Sequence, residues 1–275
     1  MSKPKTLILR TAGTNCDAET AHAFELAGAT TECVHLNRVL ADPRLLDAYQ
    51  LLALPGGFSY GDDIAAGKIL ANQIVHHLGD AIRRFVDAGK PVIGICNGFQ
   101  VLVKTNLLPG PLAGHIGQTC TLAHNNSGRF IDRWIGLQPR SRKCIWTQGL
   151  PETGLELPIA HGEGQFIAKD EAVRQALWDN DQVALVYSRP TSLGSVEGAD
   201  ANPNGSVDAI AGVCDASGLV LGLMPHPERY VKASQHPAAG RLTAVTGLRG
   251  STEGLGLYLF RNAVRYSSSL ELASA

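Results

Sequence analysis

Residues 94–98, Gly-Ile-Cys-Asn-Gly, carry the strongest chemical signal in the chain. An apolar strand pattern over 92–95 runs straight into Cys96, and a helical pattern begins at Phe99. A residue on such a strand-to-helix turn stands exposed at the carboxyl edge of a sheet. Gly94 and Gly98 let neighbouring backbones approach closely. The free N–H groups at the helix start favour a thiolate, the nucleophilic form of cysteine. Taken alone, the segment also admits a plain buried cysteine. The other five cysteines lack this setting. Cys33 and Cys214 lie in apolar strand-like runs and are expected in the core, and Cys120 and Cys144 give no signal. Cys16, beside Gly13 and Asn15 at a strand-to-helix turn, can border the site, but a turn that opens a helix is the plainer reading.

A thiol nucleophile needs a base that takes its proton and later returns one to the leaving amine. Gly222 to Arg229 reads GLMPHPER, and the apolar run 219–223 stops just before His226. Pro225 and Pro227 stiffen the backbone around the imidazole. Glu228 follows two residues later. In an extended segment that spacing puts both side chains on one side, so the carboxylate can hold the imidazole tautomer. The alternative is a capping loop with a surface glutamate. His76 and His77 fall on the solvated face of a helix, and His22 is a helix position. His35, His115 and His236 have no partner at useful spacing. His124 and His161 are expected in loops that can line the site. Acyl transfer also needs N–H donors for the developing oxyanion. The Pro55 to Asp63 stretch, PGGFSYGDD, follows a buried strand, and its glycines can turn an N–H inward. The N–H of Asn97 is the second candidate donor.

These segments need a scaffold that brings strand ends together. Strands are expected at 6–9, 31–36, 51–54, 92–95, 183–188, 207–214 and 219–223. Helices are expected at 17–27, ending at Gly28, and at 69–88, ending at Gly89 and Pro91. A helix past Cys96 and a closing helix at 255–266 complete the set. Residues 120–135 and 157–167 read as strands or loops around the centre. Strands alternating with helices predict an α/β fold with a central, mostly parallel sheet and helices on both faces. No linker splits the chain, so 1–275 is expected to form one domain. A loop or insertion is expected at 232–254.

With 275 residues, 44% hydrophobic and 18% charged, the chain has the balance of a globular protein. A net charge of −1 with no long basic block argues against nucleic acid as a partner. No Cys-x-x-Cys pair supports a zinc ribbon or redox motif, and no metal site is expected. The N-terminus carries no signal stretch and no apolar run can span a membrane, so a cytoplasmic location is expected.

LPGGFSYGDD, GICNGFQ and GLMPHPER together resemble the class I glutamine amidotransferases, which implies a flavodoxin-like fold. GTNCD (13–17), NNSGRF (125–130), HGEGQF (161–166) and NPNGS (202–206) resemble, more narrowly, the glutaminase subunits of phosphoribosylformylglycinamidine synthases in purine biosynthesis. The resemblance implies a Cys96–His226–Glu228 triad, a glutamyl thioester, and an oxyanion hole from the N–H groups of Gly57 and Asn97. It implies that Gln100 helps hold L-glutamine, that His161 and Glu163 sit near the glutamine or a partner face, and that Asn125, Ser127 and Arg129 lie close by. It further implies a partner synthase chain, a small bridging subunit, and no cofactor in this chain, with ATP and magnesium on the synthase. Segments 140–156 and 232–254 are longer than a minimal member needs, and partner docking is one role for them.

Three other readings compete, the nearest being a sibling amidotransferase of another pathway, against which the FSYGDD and HGEG stretches weigh. A papain-like protease also places a histidine far downstream of its cysteine, but its cysteine lies in a different signature near the N-terminus. A non-catalytic subunit that keeps the fold would have no need of an intact Cys96, His226 and Glu228.

Overall fold

The computed structural model describes residues 3–190, 201–240 and 252–273. Nine of its eleven strands form one sheet. They are β1 (Lys5–Arg10), β2 (Thr30–His35), β3 (Leu51–Leu54), β4 (Val92–Ile95), β6 (Ile131–Pro139), β7 (Leu155–His161), β9 (Val183–Ser188), β10 (Ile210–Cys214) and β11 (Val220–Leu223). Their order is β2-β1-β3-β4-β11-β10-β9-β6-β7. The first five run parallel, with β4 beside both β3 and β11. From β11 onward each pairing is antiparallel. The remaining strands, β5 (Cys120–Ala123) and β8 (Gln165–Ala168), pair with each other.

Every residue of β3, β4 and β11 is buried, as expected of parallel strands covered on both faces. The helices that cover the sheet form two groups. Helix α1 (Asp17–Leu26) packs on β1, β2 and the closing helix α7 (Leu257–Ala273). Helix α5 (Asn97–Lys104) packs on β4, β11 and α3 (Lys68–His77). Two smaller helices, α2 (Leu36–Ala41) and α6 (Glu171–Asp179), sit further out, with α4 (Gly79–Asp87) following α3. Among the described residues no helix is long and apolar enough to cross a membrane.

Three sequence expectations change. The helix expected over 69–88 is two helices, α3 and α4, which break at Leu78, whose φ and ψ are −123° and −6°. Gly79 there gives up about 1 kcal/mol of helix propensity, and burial of Leu78 fixes the bend. The strand expected from 207 starts at Ile210, after a 3-10 turn at Val207–Ala209. Cys33 is exposed rather than in the core, because β2 is the sheet's edge. Segment 140–156 packs inward: Trp146 is fully buried, meets Phe24 of α1 edge-on at 6.4 Å, and donates its indole N–H to the Leu219 carbonyl at 2.8 Å. In the stretch 232–254, Ala233 N–H bonds the Thr252 carbonyl at 3.0 Å and draws the two ends together. Residues 241–251 of that stretch lie outside the described residues.

Candidate active site

Cys96 sits at the end of β4 with φ 51° and ψ −106°, a region L-residues seldom occupy. Its surroundings impose the conformation. The Cys96 N–H continues the ladder to the Leu223 carbonyl at 2.8 Å. Helix α5 then presses against the strand ends, which only glycine allows. A Cβ on Gly98 would lie 1.9 Å from the Leu54 carbonyl oxygen, and one on Gly94 would lie 2.6 Å from the Gly98 carbonyl oxygen. The thiol is held at the mouth of the turn, with its Sγ 3.8 Å from the Ala160 carbonyl oxygen of β7.

His226 follows the end of the neighbouring strand, β11. Its N–H donates to the Pro158 carbonyl of β7 at 2.9 Å. Glu228 lies not in an extended segment but in a 3-10 turn, Pro227–Arg229. Proline at the first position of that turn sets it, and the turn brings Glu228 Oε1 within 2.6 Å of His226 Nδ1. Both side chains are buried. Burial pulls the imidazole pKa down. The Glu228 carboxylate and the Cys96 thiolate overcome that pull and hold His226 well above the ordinary histidine range. With Nδ1 committed to the carboxylate, His226 Nε2 is buried without a hydrogen-bond partner.

A cavity of about 430 Å³ opens beside the thiol. Cys96, Gln100, Gly57, His161, Glu163 and His226 all line it, whereas Asn97 and Glu228 lie behind its wall. Gly57 has φ 140°, and a side chain there would collide with the Asn15 amide nitrogen. The Asn97 N–H is the first of α5 and so has no partner within the helix. The Asn97 side chain ties the floor together: its amide donates to Asp62 Oδ1 and Gln100 Oε1, each at 3.0 Å, and its oxygen accepts from the Ser59 N–H. Gln100 in turn donates to the Glu163 carbonyl at 2.6 Å. His124 lines the cavity as expected and stands 3.9 Å from Glu163.

His161 is the last residue of β7 rather than a loop residue. Asn125 Oδ1 accepts from the Gly164 N–H, so the 3.0 Å contact to His161 makes Nδ1 the protonated ring nitrogen. Burial, and after it the nearby His226, push the His161 pKa down to about 4. Its Nε2 is therefore a neutral acceptor, buried and unpartnered. The NPNGS stretch braces this corner: Asn204 donates to the Gly164 carbonyl and Ser206 Oγ accepts from the Phe166 N–H. Ser127 only accepts from the Arg129 N–H, on an exposed turn.

Sequence reasoning missed several neighbours or left them open. Cys16 is in the cavity wall, and Arg229 Nη2 points at its Sγ from 3.2 Å. Asp62, Phe130 and Asp132 line the cavity too. His236 and His115 have partners after all, in remote segments: Glu156 at 3.0 Å and Asp170 at 3.2 Å.

Residues 3–267 match the profile of the CobB/CobQ-like glutamine amidotransferase domain. Phosphoribosylformylglycinamidine synthase subunit PurQ of Dehalococcoides mccartyi is 49% identical, over 97% of this chain and 99% of its own. The protein of the same name from Methanococcus maripaludis is 38% identical, over 96% and 97%. The solved structure of PurLQS from Thermotoga maritima superposes at a TM-score of 0.69 with 32% identity, covering 96% of this chain and 99% of that one.

Proposed function

The chain belongs to the CobB/CobQ-like glutamine amidotransferase family, and from that premise we propose that it is the glutaminase subunit of a phosphoribosylformylglycinamidine synthase. One observation carries the chemistry: a thiol on a strained turn at one strand end beside a buried His226–Glu228 pair at the next. With its proton already on His226, Cys96 attacks the side-chain amide carbon of L-glutamine. The N–H groups of Gly57 and Asn97 receive the oxyanion. His226 protonates the departing nitrogen, and ammonia leaves a γ-glutamyl thioester on Cys96. Water, activated by His226, then releases glutamate. Glu228 keeps Nδ1 protonated, so that Nε2 faces the thiol.

Gln100, His161 and Glu163 shape the pocket for the rest of the glutamine. Asp62 and Glu163 put carboxylates on the cavity wall, which suits the ammonium group of a free amino acid. The ammonia passes to a partner synthase chain that holds the ATP and magnesium and forms the amidine, and a small subunit bridges the two. This chain needs no cofactor for its own step and works in the cytoplasm.

The test is ammonia release from L-glutamine by the purified chain with and without a synthase, together with labelling by a glutamine-analogue electrophile. Labelling on Cys96 and synthase-stimulated hydrolysis are expected. Hydrolysis that persists in Cys96→Ala would overturn the assignment.

A further inference from the structure

We propose that Arg229 is a positioning residue for the oxyanion hole: it ties the loop after β1 to the turn that carries Glu228 and so fixes the direction of the Gly57 N–H. This rests on the glutaminase reading, in which that N–H receives the developing charge. The hydrolysis itself gives Arg229 no task, yet it directly follows Glu228 in the Pro227–Arg229 turn and lines the cavity.

The tether starts at the guanidinium. Its Nε donates to Glu19 Oε1 at 3.0 Å and its Nη2 to Cys16 Sγ at 3.2 Å. Both partners belong to the start of α1: Glu19 lies in its first turn, and Cys16 is the residue before it. A planar fork with fixed N–H directions serves both at once, which the point charge of a lysine does not. Burial pushes the Cys16 thiol pKa up, so the sulfur keeps its proton. It accepts from Arg229 and donates to Asn15 Oδ1 at 3.2 Å.

The tether ends at the oxyanion hole. The Cys16 N–H donates to the Gly56 carbonyl at 3.2 Å, and the Phe58 N–H donates to the Gly13 carbonyl at 2.9 Å. Between these bonds Thr14 faces Gly57 in an antiparallel bridge. The Gly56 carbonyl and the Gly57 N–H belong to one planar trans peptide, so holding the oxygen from one side aims the N–H to the other. That peptide has glycine on both sides, and local sterics do not set its direction. The grip of Cys16 on its oxygen therefore does. Among the described residues the Gly57 N–H has no hydrogen-bond partner, which leaves it available to substrate.

The test compares Arg229→Gln with the wild type, each as the full chain with its synthase. Loss of one oxyanion donor costs about 10²–10³-fold in turnover. A donor misaimed rather than lost is expected to cost at least about tenfold, with KM little changed. Glutamate γ-semialdehyde, whose adduct with Cys96 places its oxygen in the hole, is expected to bind more weakly by the same factor. Alkylation of Cys96 by iodoacetamide develops no oxyanion and is expected to keep its wild-type rate. Unchanged turnover overturns the proposal. So does lost turnover with unchanged semialdehyde affinity, or an alkylation rate that falls with turnover. If Arg229→Gln does not fold, Cys16→Ala removes the other end of the contact and is expected to give the same pattern; wild-type turnover and semialdehyde affinity there overturn the proposal. A wild-type complex that releases no ammonia from glutamine overturns the glutaminase reading and this proposal with it. An active wild type with an unaffected variant overturns this proposal alone.

Discussion

His226 and Glu228 meet at 2.6 Å through a single 3-10 turn, with both side chains buried and the second carboxylate oxygen, Oε2, left unpartnered. The carboxylate thus serves one ring nitrogen. Glu228→Gln should leave the fold intact and lower glutamine hydrolysis by about 10³–10⁴-fold, because the amide no longer enforces the tautomer. The imidazole titration should move as well. Burial alone pulls His226 down, and Glu228 is the largest influence opposing it. Its midpoint, followed by NMR, should therefore fall in Glu228→Gln, and fall less in Cys96→Ala. A midpoint that stays put in Glu228→Gln counts against the pair.

Cys96→Ala should reduce ammonia release by at least about a thousandfold while leaving thermal unfolding close to wild type, since nucleophile loss in comparable triads costs more than that. The same variant should take no label from a glutamine-analogue electrophile. Labelling that moves to Cys16 would mean that His226 serves the wrong thiol in this account.

His161 makes the protein sensitive to acid. The folded chain keeps it neutral down to about pH 4, whereas the unfolded chain takes a proton near the usual 6.5. Between those values the unfolded state binds more protons. The contribution is therefore full above about pH 6.5 and is lost as pH falls toward 4. The difference corresponds to about 3 kcal/mol at most. Urea unfolding at pH 7 and pH 4.5 should show His161→Gln losing less stability on acidification than the wild type. Equal losses in both proteins would remove the basis for this reading.

Gly98 has no room for a methyl group. Its Cβ would meet the Leu54 carbonyl oxygen at 1.9 Å, and backbone atoms cannot swing aside as a side-chain tip can. Gly98→Ala should cost at least about 1–3 kcal/mol of stability, the range for overpacking, and should shift Cys96 out of its turn. Thermal unfolding measures the first effect and electrophile labelling the second. Gly164→Ala is the milder counterpart: the added methyl would displace only the His161 ring, so activity should fall further than stability.

Much of the site was legible because local rules govern it. The Cys96 turn needs two glycines and a strand that stops, and all of these lie within seven residues. The order of elements sufficed for the parallel half of the sheet. Cys16 was only partly legible, as a turn residue that can border a site. Its place depends on how the loop after β1 meets a turn carrying Arg229, more than two hundred residues later. The same holds for His236 and Glu156, which the antiparallel half of the sheet brings together. Cys33 was misread because an apolar run does not reveal whether its strand lies at an edge or in the middle. The break between α3 and α4 turned on a single glycine whose cost packing could have absorbed.

By hydrogen-bond order β7 is the strand most distant from β2, and three strands separate it from β11. Yet its Pro158 and Ala160 carbonyls touch His226 and approach the Cys96 sulfur. The far border of the sheet therefore curls back and fastens onto the tips of its own middle. Such a clasp can let go while the cloth stays whole. On gentle warming, turnover should disappear several degrees before the far-ultraviolet signal of helix and strand.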